Sequence, residues 1–193
     1  MSVSELSTST QNYLKAIWGL KEWSSEPVTA TLIAKQLGLK LSSVSDAVRK
    51  MAKQGLVSHT PYGSVELTEL GRQYALVMVR RHRLLESFLV QALGYTWDEV
   101  HNEAENLEHA VSDMLIERVD KFLDYPTRDP HGDPIPTVDG QITIPSAHRL
   151  TDSGAQSQVT VERISDSDPQ LLKFLEERGI VTCLLYTSPS PRD

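Results

Sequence analysis

Apolar residues recur every three or four positions from Gln11 to Trp23, where Tyr13, Leu14, Ile17, Trp18 and Leu20 predict an amphipathic helix. Glu26-Pro27 interrupts the pattern. Thr29 or Thr31 can cap a short helix running to Leu37, with Gly38 closing it. After Leu39-Lys40-Leu41, Ser43 is expected to open a third helix, with Asp46 three residues on as its capping-box partner. Val44, Ala47, Val48 and Met51 make its buried face, and Gly55 ends it. Val57-Ser58-His59-Thr60 and Ser64-Val65-Glu66-Leu67 flank Pro61-Tyr62-Gly63, the grammar of a hairpin. Helix, helix, turn, helix and hairpin, in that order, predict a winged helix-turn-helix over 1–75.

Thr68 then opens a long helix through about Leu93, and Trp97 to Leu123 supplies one or two more. Leu84, Leu85, Phe88, Leu89, Ala92, Val100, Leu107, Met114, Leu115 and Val119 give these helices broad apolar faces. That surface exceeds what a small DNA-reading domain needs, so a homodimer built on a helical domain over 76–145 is expected. From Tyr125 to about Ser146 the chain is rich in Pro, Gly and Asp, as in Asp129-Pro130-His131-Gly132-Asp133-Pro134. It reads as a linker or a loop packed on the surface. Val159 to Ile164 has strand character, and Pro169 to Arg178 reads as a helix ended by Gly179. The segment 184–193 shows no core logic and reads as a non-native tail, leaving a partial β domain over 146–183 that is cut short after about Gly179. The fold class expected is mainly α.

Composition sharpens this picture in two places. No apolar run is long enough to cross a bilayer, the start Met1-Ser2-Val3-Ser4-Glu5 lacks the basic opening of a signal peptide, and Cys183 is the one cysteine. A cytoplasmic protein without a membrane partner is the expectation. The net charge of −7 argues against DNA until it is divided along the chain: residues 1–83 carry +5 and residues 84–193 carry −12. A basic N-terminal part can face phosphates, while an acidic remainder collects cations.

A recognition helix needs small or polar side chains where it enters the major groove and basic ones within reach of phosphate. Lys40, Ser42, Ser43, Ser45 and Asp46 fit the first need; Arg49, Lys50 and Lys53, with the wing around Tyr62 and Ser64, fit the second. Asp46 could accept from a cytosine amine. Ser43 and Asp46 equally suit helix capping, and the lysines a solvated face.

Histidines and carboxylates supply the second candidate chemistry. His101, Glu105, Glu108 and His109 are spaced by four, three and one, so on one helix, at about 100° per residue, they share an arc of about 100°. His82 and Glu86 repeat the i, i+4 spacing on an earlier helix. Such a set, without thiols, suits a divalent metal that takes hard and borderline ligands. Asn12, on the first helix, could add an amide oxygen; His59, His131 and His148 have no such company.

The residues that decide between general readings are longer strings. Asn12-Tyr13-Leu14-Lys15-Ala16-Ile17-Trp18, Leu67-Thr68-Glu69-Leu70-Gly71-Arg72, Arg81-His82-Arg83-Leu84-Leu85-Glu86, Val100-His101-Asn102-Glu103-Ala104, Leu107-Glu108-His109-Ala110-Val111-Ser112-Asp113 and Asp129-Pro130-His131-Gly132-Asp133-Pro134-Ile135-Pro136 resemble the diphtheria toxin repressor family. Within it the chain is most similar to the actinobacterial manganese-responsive branch. The resemblance runs from about Thr8 to Gly179. It implies a homodimer that binds a palindromic operator in double-stranded DNA when loaded with Mn(II) or Fe(II), repressing metal-uptake genes. It also implies two sites per subunit. His82, Glu86 and His101 match an ancillary site, and Asn12, Glu105, Glu108 and His109 a regulatory one. Asp168 and Gln170 sit where the family's C-terminal SH3-like domain adds ancillary ligands. Iron-responsive members carry cysteine where Glu105 stands and methionine where Asn12 stands, so the lost sulfur favours Mn(II) as the cofactor. Manganese-type members usually have aspartate in place of Asn12, which leaves this chain one negative charge short. Two readings from other classes stand beside this one: a winged-helix regulator sensing a small molecule without metal, and a metalloenzyme using the same ligands.

Overall fold

The computed structural model describes residues 3–60, 63–154, 157–166, 168–182 and 185–187. The chain divides into two compact units, Met1–Arg80 with Pro136–Gln141, and Arg81–Ile135 with Ile142–Asp193.

The first unit contains α1 (Thr8–Glu22), α2 (Ala30–Leu37), α3 (Leu41–Lys53), the antiparallel pair β1 (Val57–His59) and β2 (Val65–Leu67), and the first half of α4 (Glu69–Leu93). α1 begins three residues before the sequence pattern suggests because the Ser7 side chain accepts from the Thr10 backbone N–H and caps it. Thr29, rather than Thr31, caps α2, and Gly38 closes it at φ 64°, a left-handed conformation that glycine adopts without a Cβ penalty. Ser43 does not open α3. The helix starts at Leu41 after an extended Lys40, so Ser43 and Asp46 lie inside it rather than forming a capping box. Thr68 donates through its hydroxyl to the Gly55 carbonyl and accepts from the Gly71 N–H, fixing the entry of α4 against the end of α3. Val57 pairs with Leu67, and both valines that head the two strands are buried. The core combines Tyr13, Leu14 and Ile17 with Ile33, Val44, Val48, Met51, Leu56, Tyr74 and Met78.

The second unit holds the rest of α4, α5 (Trp97–Leu107), α6 (Asp113–Phe122), β3 (Gln158–Thr160), α7 (Pro169–Glu177) and β4 (Leu185–Thr187). Trp97 to Leu123 is therefore two helices, the second capped by the Ser112 hydroxyl at Leu115 N–H. Its core gathers Leu84, Leu85 and Leu89 with Val100, Ala104, Ile116, Val119 and Ile135. The backbone of Leu185–Thr187, in the stretch read as a non-native tail without core logic, pairs antiparallel with β3; Leu-Tyr-Thr has the β-branched and aromatic character that suits a ladder. The regular part of the expected strand is shorter, ending at Thr160.

The Pro-, Gly- and Asp-rich stretch departs most from expectation. Far from a surface linker, residues 129–135 bury Asp129, His131, Asp133 and Ile135. Asp129 turns the chain inward: its Oδ1 accepts from the N–H groups of His131 and Asp133, both at 2.9 Å. Arg83 donates to the Pro134 carbonyl at 2.6 Å, and Ile164 N–H donates to the His131 carbonyl. Gly132, at φ 86°, lies where an added Cβ would meet the Glu162 carbonyl at 2.1 Å, so the loop and the later segment pass too closely for any side chain.

Candidate metal centre and reading surface

The second half of α4 places His82 and Glu86 one turn apart, with His82 Nε2 2.9 Å from Glu86 Oε1. His101, on α5, brings Nδ1 to 3.2 Å from His82 Nε2 and 3.4 Å from Glu86 Oε1. Asp166 completes this side, its Oδ2 3.0 Å from His101 Nδ1. The other ring nitrogen of His82 faces different carboxylates: Nδ1 lies 2.6 Å from Glu108 Oε2 and 3.6 Å from Glu105 Oε2. His82 thus stands between two ligand groups, each with ligand atoms within 4.8 Å of one another.

Glu105, Glu108 and His109 were expected on one helix. The helix instead ends at Leu107, and Glu108 is its C-cap. Glu108 still donates its N–H to the Ala104 carbonyl, which keeps its carboxylate on the face that carries His101 and Glu105. His109 sits past the cap, with Nε2 3.4 Å from Glu108 Oε1. Arg81 anchors this turn, donating to the Glu108 carbonyl and pairing with Asp113 at 2.6 Å.

Asp168 and Gln170 are not part of either group. Asp168 caps α7, its carboxylate accepting from the Gln170 and Leu171 N–H groups, and Gln170 is exposed. The carboxylate delivered to His101 comes from Asp166, two residues earlier, in a stretch without helix or strand period to fix the register.

A third group was invisible in the sequence. Glu86, Asp129 and His131 offer ligand atoms within 4.8 Å of one another, and all three are buried. His131 is 1% exposed, yet neither ring nitrogen has a hydrogen-bond partner. Its Nδ1 lies 4.0 Å from Glu86 Oε2, too long for a hydrogen bond and compatible with a shared cation. Glu86 therefore turns one oxygen toward His82 and His101 and the other toward His131.

The electrostatics fit a cation. Burial alone would raise the Glu86 pKa, but charge and hydrogen bonds from His82 and His101 hold it well below the usual carboxylate range. His101 works against its own burial: hydrogen bonds to Asp166 and Glu86 push it up to about 10. Asp166 is lowered, burial opposing and the His101 hydrogen bond prevailing. Asp129 goes the other way, raised well above the ordinary value by burial and by the charges of Glu86 and Asp133. A buried set of this kind, rich in carboxylate and imidazole and without sulfur, has the donor chemistry of a hard or borderline divalent metal. Asn12 belongs to the other unit, where its Oδ1 is buried without a hydrogen-bond partner.

On the first unit, Lys40, Ser42, Ser43, Asp46, Arg49 and Lys50 are exposed along α3 and Ser45 is half-buried. Asp46 and Arg49 pair with each other while both stay about 70% exposed (70% and 71%). Ser64 donates to Glu66 on the wing, and Tyr62 lies outside the described residues. No described helix is long and apolar enough to cross a membrane.

Residues 5–65 match the family described as iron dependent repressor, N-terminal DNA binding domain, and residues 68–137 match iron dependent repressor, metal binding and dimerisation domain. The iron-dependent repressor IdeR of Mycobacterium tuberculosis is 35% identical, over 93% of this chain and 83% of that protein. The chain belongs to the iron-dependent repressor family. It is a metal-dependent DNA-binding repressor. Solved structures agree. A manganese-dependent transcriptional repressor in complex with manganese has 51% identity and a TM-score of 0.89, over 94% of this chain and 83% of the other. The manganese regulator SloR has 36% identity and a TM-score of 0.76, over 91% and 81%.

Proposed function

We propose that this repressor responds to Mn(II) and, as a homodimer in the cytoplasm, binds a palindromic operator to control genes of metal uptake. The observation that carries the reading is the arrangement about His82, whose Nε2 faces the buried Glu86 and whose Nδ1 faces the buried Glu108 and the half-buried Glu105, without a sulfur ligand on either side. The 51% identity to a repressor described with manganese supports the same metal. Fe(II) is the second reading, favoured by the iron-dependent relatives.

In this reading Glu105, Glu108 and His109, with Asn12 from the first helix, are the regulatory ligands. His82, Glu86, His101 and Asp166 are the ancillary ones, and Asp129 and His131 extend the set on the far side of Glu86. A divalent cation, when bound, supplies the positive charge that lets these carboxylates converge. Glu105 and Glu108 repel each other otherwise, and Arg81 holds the Glu108 turn ready. Lys40, Ser42, Ser43, Ser45, Asp46, Arg49 and Lys50, with the wing at Ser64, face the DNA. In this reading the protein regulates transcription as a DNA-binding repressor rather than as an enzyme.

Fluorescence anisotropy with operator-like DNA tests the proposal, first in chelator and then with Mn(II), Fe(II), Zn(II) or Mg(II). Tightening of about 5–150-fold, led by Mn(II), is expected from typical coupling between two sites. Equal affinity in chelator and in metal would overturn it.

A further inference from the structure

Four leucines of the DNA-reading unit are exposed: Leu32 at 38%, Leu39 at 45%, Leu41 at 50% and Leu70 at 41%. None belongs to that unit's core or to the partly buried residues packed on it. Leu41 differs from the other three by its place. It is the first residue of α3, directly after the extended Lys40, on the turn whose neighbours Ser42 and Ser43 are exposed and polar. Around the helix it shares a side with Ser45, one turn on, next to the side shared by Ser42 and Asp46. The first turn of a recognition helix is the part that meets base edges in the major groove. A leucine there can neither donate nor accept a hydrogen bond. The major groove offers it one apolar partner, the C5-methyl of thymine.

We propose that Leu41 is a specificity-determining residue that reads a thymine by apolar contact with its C5-methyl. It adds an apolar element to a surface otherwise made of hydroxyls and charges, directly after the exposed Lys40. Cytosine at that position would lose the contact and leave its amine facing a side chain that cannot accept. The inference rests on the DNA-reading role proposed above.

Binding sites are first selected from random duplexes with the Mn(II)-loaded protein. Each thymine of the selected half-site is then replaced by deoxyuridine, which removes only the methyl, and Kd is read by fluorescence anisotropy. For the wild type, one replacement per half-site is expected to weaken binding about fourfold, the value of one buried methyl-sized group. In Leu41→Ala the thymine site weakens by a similar factor, and the same replacement then has no effect. A wild type indifferent to every deoxyuridine overturns the proposal, as does a selected site without thymine, or a Leu41→Ala protein that keeps the wild-type sensitivity. The deletion on the DNA side needs no variant to fold, and circular dichroism checks the other. A protein that ignores DNA in Mn(II) fails the regulatory reading itself, whereas one that binds but ignores methyls fails only here.

Discussion

The two units bury different kinds of groups. Among the described residues, the DNA-reading unit buries two polar side chains, Thr10 and Gln11, both neutral and both hydrogen-bonded. The metal unit buries Ser87 and, among ionisable groups, Arg81, His82, Arg83, Glu86, Glu108, Asp120, Asp129, His131 and Asp133. Apolar contact and capped helices hold the first unit, so its reading surface needs no ion to exist. The second concentrates carboxylates that water would otherwise solvate, and compensates them with arginine, histidine and the cation its ligands suit. A reader needs one fixed shape. A sensor needs a shape that remains incomplete until its ligand arrives.

The comparison breaks most sharply at Arg83. Its guanidinium lies 3.2 Å from Asp133 and 3.6 Å from Asp129, with its side chain 8% exposed. Arg83→Met keeps much of the stem but takes the arginine from buried Asp129 and leaves buried Asp133 with Arg163 alone. A loss of about 3–5 kcal/mol, the usual cost of removing one partner of a buried pair, is expected in the metal unit. Hydrogen exchange should show residues 81–135 losing protection while residues 30–59 keep theirs. Equal loss in both would mean that the units do not differ in what holds them.

Glu108→Ala comes next. Its carboxylate is fully buried and 2.6 Å from His82. Losing it should weaken Mn(II) by more than the about 10–100-fold typical of an outer partner, abolish metal-dependent DNA binding, and leave the helical circular dichroism of the fold in place. Ordinary Mn(II) repression in this variant would remove Glu108 from the ligand set.

The same contrast decides what could be read from the sequence. Helix periods, the Gly38 stop and the hairpin of the first unit follow from local rules, and so does the contact of His82 with Glu86 at i, i+4. Asp129 and His131 escaped because Asp-Pro-His-Gly-Asp-Pro has the residues of an exposed turn. Their burial depends on Arg83, about fifty positions away, and on Asp129 bonding the loop's own N–H groups. A histidine between Pro130 and Gly132, in a loop of carboxylates, was the available signal. Asp166 escaped for another reason: an irregular segment has no period, so Asp168 could be chosen in its place. The helix end at Leu107 was missed because Glu108 retains helical geometry as a cap.

Proton traffic offers a smaller test confined to the metal unit. Against its own burial, hydrogen bonds to the Asp166 and Glu86 carboxylates stabilise the proton on His101, with a pKa pushed up to about 10 from 6.5. Its stabilisation of the metal-free state is complete below about 6.5 and is lost as pH rises through about 10. A metal ligand must present a lone pair, so Mn(II) binding displaces that proton. Calorimetry in buffers of different ionisation enthalpy should register about one proton released from this site near neutrality, with affinity rising about tenfold per pH unit. A pH-independent affinity between 6.5 and 8 would exclude His101 as a ligand.

Asn12→Asp asks whether the first unit is as independent of the cation as its core suggests. The Asn12 Oδ1 is buried and accepts nothing, so an aspartate places a negative charge where no donor compensates it. In chelator, the variant should be less stable than the wild type by a modest amount, about 1–3 kcal/mol. If Asn12 is a regulatory ligand, Mn(II) reverses that deficit and binds about tenfold tighter, because an anionic oxygen replaces a neutral one. If Asn12 is only a core residue of the reader, the deficit persists at saturating Mn(II) and the affinity is unchanged. Thermal melts with and without the metal separate the two outcomes. The first would make Asn12 a metal ligand, and the second would leave it a residue of the reader alone.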